Sequence, residues 1–160
     1  IFTLAEAIEW FDIKAVAKSP ARFDIDKLRQ INREHLRLLD EGELAKMVGF
    51  DEPLIGKIAK LYTEEGSVLA EIKPKIDAIF APKSAPEGFE QEFDLLRKTI
   101  TNAPYFEQFD EFKNYLLSET SLKGKAFWKP LRVLLTNSEH GPELAALYPL
   151  VKTYIKEIVK

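Results

Sequence analysis

Residues 89–116 have the sequence FEQEFDLLRKTITNAPYFEQFDEFKNYL, in which large apolar side chains recur every three or four positions. A helix has 3.6 residues per turn, so this spacing places them on one helix face. The first helix is predicted to bury Phe89, Phe93, Leu96 and Ile100. A second is predicted to open at Pro104 and to bury Phe106, Phe109, Phe112, Tyr115 and Leu116.

The same helical spacing extends over most of the chain, and no useful run alternates with period two. Thr3 and Glu6 have the spacing of a capping box, and Asp24 or Asp26 can cap a following helix. Further helices are predicted near 44–48, 53–61 (burying Leu54, Ile58 and Leu61), 68–80, 125–135 and from Pro142, with a bend at Pro149. The sequence therefore predicts an all-α fold of two packed lobes, divided near residues 81–95 where Pro82, Pro86 and Gly88 interrupt the pattern.

Charge is unevenly distributed along the 160 residues, whose formal net charge is −3. Residues 81–120 contain 4 Lys and Arg against 8 Asp and Glu, whereas residues 121–160 contain 7 against 3. Absence of cysteine excludes disulfides and thiolate metal sites, and no apolar run is long enough to span a bilayer. The lack of cysteine fits a location in the cytoplasm. Because the first residue is Ile1, we expect a piece of a longer protein or a processed product.

Residue types that carry out covalent chemistry are sparse. His35 and His140 are the only histidines and have no metal-ligand spacing, and no glycine-rich phosphate-binding motif is present. Acidic pairs are too common in a chain of this composition to indicate an active site. We therefore expect no metal, no cofactor and no catalytic residue in these 160 residues.

Residues 124–132, GKAFWKPLR, interleave basic and aromatic side chains, a combination that binds unpaired RNA bases and phosphates. The loop at 137–142 could offer backbone donors to such a ligand. From these residues alone, the favoured interpretation is that Phe127 and Leu131 are core residues and that Trp128 packs between helices. The loop could equally be an ordinary turn.

Two stretches of the sequence carry a family resemblance. Residues 11–14 (FDIK) and 18–24 (KSPARFD), followed by Lys27-Leu28 and Ile31-Asn32, are similar to the segment that joins the catalytic core to the anticodon-binding lobes in the class I glutamyl-tRNA synthetases. Gly124-Lys125, residues 130–132 (PLR), Leu135-Thr136, Ser138, Gly141-Pro142 and Leu144 are similar to the family's anticodon-binding lobe. The two stretches occur in the family's order, so the resemblance covers essentially the whole chain.

This resemblance implies a bacterial glutamate--tRNA ligase whose catalytic domain lies upstream and uses ATP and Mg to attach glutamate to tRNA. The chain would then comprise the tail of the stem-contact region (1–40) and two helical anticodon-binding lobes (41–95 and 96–160). The implied partners are tRNA-Glu, tRNA-Gln or both, together with the protein's own catalytic domain. We expect a monomer without membrane attachment.

The resemblance also indicates site residues. Lys75 stands where some members keep an arginine that reads the third anticodon base, and Arg132 matches a basic residue that faces the anticodon. Gly141, Pro142 and Leu144 match the loop around it. Candidates for stacking on a base are Trp128, Phe127 and Tyr148, and candidates for the tRNA backbone are Lys14, Lys18, Arg22, Lys125 and Lys129. Because lysine lacks the planar fork of arginine, Lys75 and the bare Gly141 predict relaxed or altered tRNA choice.

Two other hypotheses fit the same residues. The acidic net charge would suit a free-standing helical module that binds a protein, and a truncated synthetase paralogue would share every motif. Steep weakening of binding by salt is expected of the RNA interface and not of the protein-binding module.

Overall fold

A computed structural model describes residues 1–20 and 22–160; Ala21, within the motif at 18–24, lies outside the described residues. These residues form α-helices and two short 3-10 helices, without a β-strand among them, which confirms the all-α prediction for this part of the chain. The α-helices are α1 (Leu4–Trp10), α2 (Ile25–Leu38), α3 (Glu41–Met47), α4 (Pro53–Tyr62), α5 (Leu69–Phe80), α6 (Glu90–Asn102), α7 (Phe109–Thr120), α8 (Lys125–Thr136), α9 (Leu144–Val151) and α10 (Ile155–Ile158). The 3-10 helices are Ile13–Ala15 and Lys152–Tyr154. No helix in residues 1–20 or 22–160 combines the length and apolar composition needed to cross a membrane.

Side-chain caps set the starts of the first three helices. The predicted capping box at α1 is confirmed: the Glu6 backbone N–H donates to Thr3 Oγ1 at 3.3 Å, and the Thr3 N–H donates to Glu6 Oε2 at 2.7 Å. Asp24, one of the two predicted caps, accepts from the Lys27 N–H at the start of α2. Asp40 accepts from the Glu43 N–H in the same way at α3. Each cap satisfies a backbone donor that a helix start would otherwise leave unpaired.

The first hydrophobic core is built mainly by α3, α4 and α5. On α4 the fully buried face contains Ile55, Ile58 and Tyr62, whereas Leu54 and Leu61 are half-buried. The predicted face was therefore correct only for Ile58, because α3, α5 and α9 all pack on α4 and together cover a different stripe from the predicted one. Gly56 allows α3 and α4 to approach closely, since a Cβ built there would lie 1.8 Å from the Glu41 carbonyl oxygen.

The second hydrophobic core is built mainly by α6, α7 and α8. The prediction that a helix opens at Pro104 was wrong: α7 begins at Phe109, where Gln108 and Glu111 form a capping box. Phe106 therefore lies in the connection before α7, with its ring 5.1 Å from that of Tyr115. The stripe nevertheless remains largely buried, because the loop folds back onto α7.

The helices α9 and α10 contribute to both cores. The helix predicted at Pro142 begins instead at Leu144 with Glu143 as its N-cap, and it continues through Pro149 as far as Val151 before changing to a 3-10 turn. The side chains from this region that pack in the first core are Leu147, Val151 and Ile158. Those that pack in the second core are Leu144, Tyr148, Ile155 and Val159. The lobe boundary between residues 95 and 96 stays a prediction.

Candidate nucleic-acid interface

Arg132 is held against the loop that follows α8. Its Nη1 donates to the carbonyl oxygens of Gly141 at 3.3 Å and Pro142 at 2.9 Å. Gly141 has a φ of +145°, a backbone conformation that favours glycine, and a Cβ there would meet Arg132 Nη1 at 3.8 Å and Tyr62 Cε1 at 3.7 Å. The structure thus brings the predicted residues Arg132, Gly141 and Pro142 together beside Tyr62.

Lys75 reaches the same place from α5. Its Nζ lies 2.6 Å from Glu65 Oε2 and 5.7 Å from the centroid of the Tyr62 ring. Burial is the main cause that raises the pKa of Tyr62 to about 12, with the Glu65 charge adding to it and the Arg132 charge opposing it. Tyr62 therefore stays neutral at physiological pH, with the Lys75 ammonium near its ring and the Arg132 charge close enough to influence its pKa.

A cavity of about 160 Å³ opens between α5 and the loop. It is lined by Tyr62, Pro74, Lys75, Ala78, Thr136, Ser138 and His140. Within the loop, the His140 N–H donates to Ser138 Oγ and the Ser138 N–H donates to Thr136 Oγ1. Those two backbone donors are therefore used inside the loop, so the ligand would meet side chains and carbonyl oxygens more than free N–H groups.

Four residues at this site were not predicted from sequence as binding residues: Tyr62, Glu65, Ser138 and His140. Ser138 and His140 come shortly before Gly141 in a loop that the sequence had indicated, so their neighbourhood was a usable signal. Tyr62 ends α4 and Glu65 follows three residues later, some seventy residues before the loop, and only the packing of α4 against α9 and of α5 against α8 brings them here. Local periodicity cannot supply that information.

Of the three aromatic candidates, one is exposed. The Trp128 side chain is 44% exposed and contacts Phe127 edge-on with ring centroids 5.0 Å apart. Phe127 is 0% and Tyr148 2% exposed, so the prediction that either could stack on a base was wrong, because the second core covers their faces. Leu144 is also buried in that core and is therefore not at the surface of the loop.

The predicted backbone-contact residues occupy two places. Lys129 Nζ lies 2.8 Å from Glu139 Oε1 and 5.3 Å from the Phe89 ring centroid, and Lys125 Nζ lies 5.9 Å from that centroid. Lys129 and Arg132 are three positions apart on α8 and so belong to neighbouring parts of one face. Lys14, Lys18 and Arg22 instead lie on the exposed N-terminal segment, outside this cluster.

Comparison with models of known protein families gives no match. Comparison with curated proteins gives close relatives, however, at 51% identity in Sulfurimonas denitrificans and 52% in Nitratiruptor sp., each over all 160 residues, and 48% over 159 residues in Campylobacter concisus. All three are named glutamate--tRNA ligases. Along its whole length, the chain is similar to glutamate--tRNA ligases.

The glutamate--tRNA ligases are much longer proteins. The chain spans 37% of the length of each of these three relatives, while 99–100% of the chain itself is aligned. The similarity therefore concerns one region of those ligases, and it includes Lys75, Arg132 and the loop at 137–142, which the structure brings together.

Proposed function

We propose that this chain is the C-terminal, anticodon-binding part of a glutamate--tRNA ligase. The observation that carries the proposal is the similarity at about 50% identity along every part of the chain to proteins of that name. The glutamylation reaction, with its ATP and Mg, would take place in a catalytic domain outside these 160 residues. This chain would raise the specificity of that reaction by positioning the tRNA, as a monomer in the cytoplasm.

Support for RNA binding comes from the surface around Tyr62. The cations Lys75 and Arg132 both lie near it, and the cavity that Tyr62 and Lys75 line is mainly apolar, which suits the face of an unstacked base. Trp128 is exposed on α8, four positions before Arg132 and therefore on the same helix face, where a second base could stack. The nearby Lys125 and Lys129 would contact phosphates, and Lys14, Lys18 and Arg22 would contact more distant ones.

The N-terminal segment supports an interface with the rest of such a ligase. Many large apolar side chains before residue 32 are exposed, which is unusual for a surface that faces water alone. They are Ile1, Phe2, Leu4, Ile8, Trp10, Phe11, Ile13, Val16, Phe23, Ile25, Leu28 and Ile31. We assign residues 1–40 to the tail of the stem-contact region, which would pack on the catalytic domain, and residues 41–95 and 96–160 to the two anticodon-binding lobes.

The tRNA choice is proposed to be relaxed or altered. The Glu65 carboxylate holds the Lys75 ammonium, so this position offers a single compact cation where arginine would offer two parallel donors. Gly141 places no side chain between Tyr62 and Arg132. Charging of purified tRNA-Glu and tRNA-Gln by the complete ligase tests this choice, and activity confined to tRNA-Glu would contradict it.

The direct test measures binding of the chain to unmodified tRNA-Glu and tRNA-Gln transcripts at two salt concentrations. Arg132→Ala is compared with Lys98→Ala, which removes the same charge from an exposed position on α6. We expect salt-sensitive binding that Arg132→Ala weakens by about 1–3 kcal/mol, the magnitude of one good base contact, and that Lys98→Ala leaves nearly unchanged. Absence of binding by the unmodified chain at low salt, or equal effects of the two substitutions, would contradict the proposal and favour a protein partner.

A further inference from the structure

Lys83 occupies an unusual place in the connection between α5 and α6. Its side chain is only 8% exposed, although lysine is rarely buried without a charged partner. The ammonium donates to three backbone carbonyl oxygens, those of Ala78 at 2.8 Å, Ile79 at 2.5 Å and Ala81 at 2.9 Å. All three of its hydrogens therefore have an acceptor.

These carbonyls lie at the carboxyl end of α5, where a helix leaves its last acceptors unpaired. The Ala81 N–H satisfies the Asp77 carbonyl, and Lys83 satisfies the next two. A cation at this end also interacts favourably with the helix dipole. Burial lowers the pKa of Lys83 to about 8, so the amine remains mostly protonated at neutral pH. Lys83 thus ties the connection back onto the helix that precedes it.

The same connection contacts the loop of the candidate interface. Asn137, the left-handed C-cap residue of α8, donates its Nδ2 hydrogen to the Pro82 carbonyl at 3.3 Å. Ala85, two residues after Lys83, packs against the second core. Ala78, whose carbonyl Lys83 binds, lines the cavity beside His140. The point where the chain leaves the first core is therefore joined to the point where α8 ends and the loop begins.

We propose that Lys83 is a positioning residue for the candidate nucleic-acid interface. By binding the Ala81 carbonyl and the end of α5, its ammonium restrains the backbone on both sides of Pro82, whose carbonyl accepts from Asn137, and so favours the observed conformation of residues 137–142. This role rests on the proposed function for its consequence in RNA binding, but its effect on the loop is independent of any ligand.

The test replaces Lys83 by Met, which keeps a long apolar stem without the ammonium, and Asn137 by Gly, which keeps the left-handed conformation without the amide. Lys98→Met is the control on the exposed surface. Amide hydrogen exchange at residues 137–141, and affinity for the tRNA transcripts well below the unfolding temperature, are measured for all four proteins. We expect roughly tenfold faster exchange and a several-fold loss of affinity in Lys83→Met and Asn137→Gly, and neither in the control.

A purely local cap would behave differently. If Lys83→Met lowered the unfolding temperature and quickened exchange at residues 78–89 while leaving exchange at 137–141 and affinity unchanged, the positioning role would be overturned. Should Lys83→Met fail to fold, Asn137→Gly decides, since unchanged exchange at 138–141 in that variant also overturns it. Failure of the unmodified chain to bind RNA would contradict the proposed function, whereas the exchange result would still test the role of Lys83.

Discussion

Gly56→Ala is expected to destabilise the chain although it improves helix propensity. In the interior of a helix alanine is favoured over glycine by about 1 kcal/mol. At this position, however, the new Cβ would lie 1.8 Å from the Glu41 carbonyl oxygen, 2.5 Å from its carbon and 2.8 Å from its Cα. All three are backbone atoms at the start of α3, so no side-chain rotation can relieve the overlap.

Relief requires α3 and α4 to separate by more than an ångström across the most closely packed pair of helices in the first core. Overpacking by one methyl group costs about 1–3 kcal/mol where side chains can adjust. Because only backbone can move here, we expect a net loss of about 3 kcal/mol or more, a large part of the typical stability of about 5–15 kcal/mol. Tyr62 follows on the same helix, so its place in the interface should shift as well.

Urea unfolding followed by far-UV circular dichroism measures this loss. The matched control is Gly42→Ala on α3, whose Cβ would meet only the Asp40 Oδ1 atom at 3.3 Å and should change the free energy of unfolding by about 1 kcal/mol or less. If the Gly56→Ala protein is as stable as the unmodified chain, α3 and α4 do not approach each other as closely as the structure describes.

Three further outcomes are expected. Burial lowers the pKa of Lys83 from 10.5 to about 8, so between these pH values the unfolded chain binds more protons than the folded chain. The unfolding free energy should therefore rise with pH in this window relative to Lys83→Met, as measured by urea unfolding at the two ends of the window. Burial raises the pKa of Tyr148 from 10.0 to about 12, so above pH 10 the folded chain binds more protons than the unfolded chain, and the unfolding free energy should fall as the pH rises. Tyr148→Phe should show a smaller fall. This variant also loses about 1 kcal/mol with the hydrogen bond to the Phe106 carbonyl. Glu139→Gln frees Lys129 and removes a negative charge, so tRNA affinity should increase a few-fold at low salt, and unchanged affinity would place Lys129 outside the RNA footprint.

Local patterns were sufficient for the helices and insufficient for their packing. The caps at Thr3 and Asp24 lie within one turn of the groups they satisfy, so the sequence alone identified Thr3 and limited the second cap to Asp24 or Asp26. The start of α7 was misplaced because Pro104 is a strong local signal for a helix start. The helix begins instead after the capping box of Gln108, a less common capping residue.

The candidate site shows the same division. The resemblance identified Lys75 and Arg132, but Tyr62 and Glu65 join them only through the packing of α4 against α5 and α9, which the spacing of residues does not reveal. Tyr148 was mistaken for a surface aromatic because the rings of Phe109 and Phe112 that cover it come from α7, which sequence spacing does not relate to α9.

The sharing of α9 and α10 between the two cores has a consequence for synthesis on the ribosome. Residues 36–79 supply most of the first core, yet its contacts with Leu147, Val151 and Ile158 cannot form until that later segment has left the exit tunnel. The first core therefore stays incomplete, with part of its apolar surface uncovered, while the residues of the second core are synthesised. Closure by α9 and α10 would complete both lobes at nearly the same moment, so a ribosome stalled before residue 144 should release a chain that is vulnerable to proteases along its entire length.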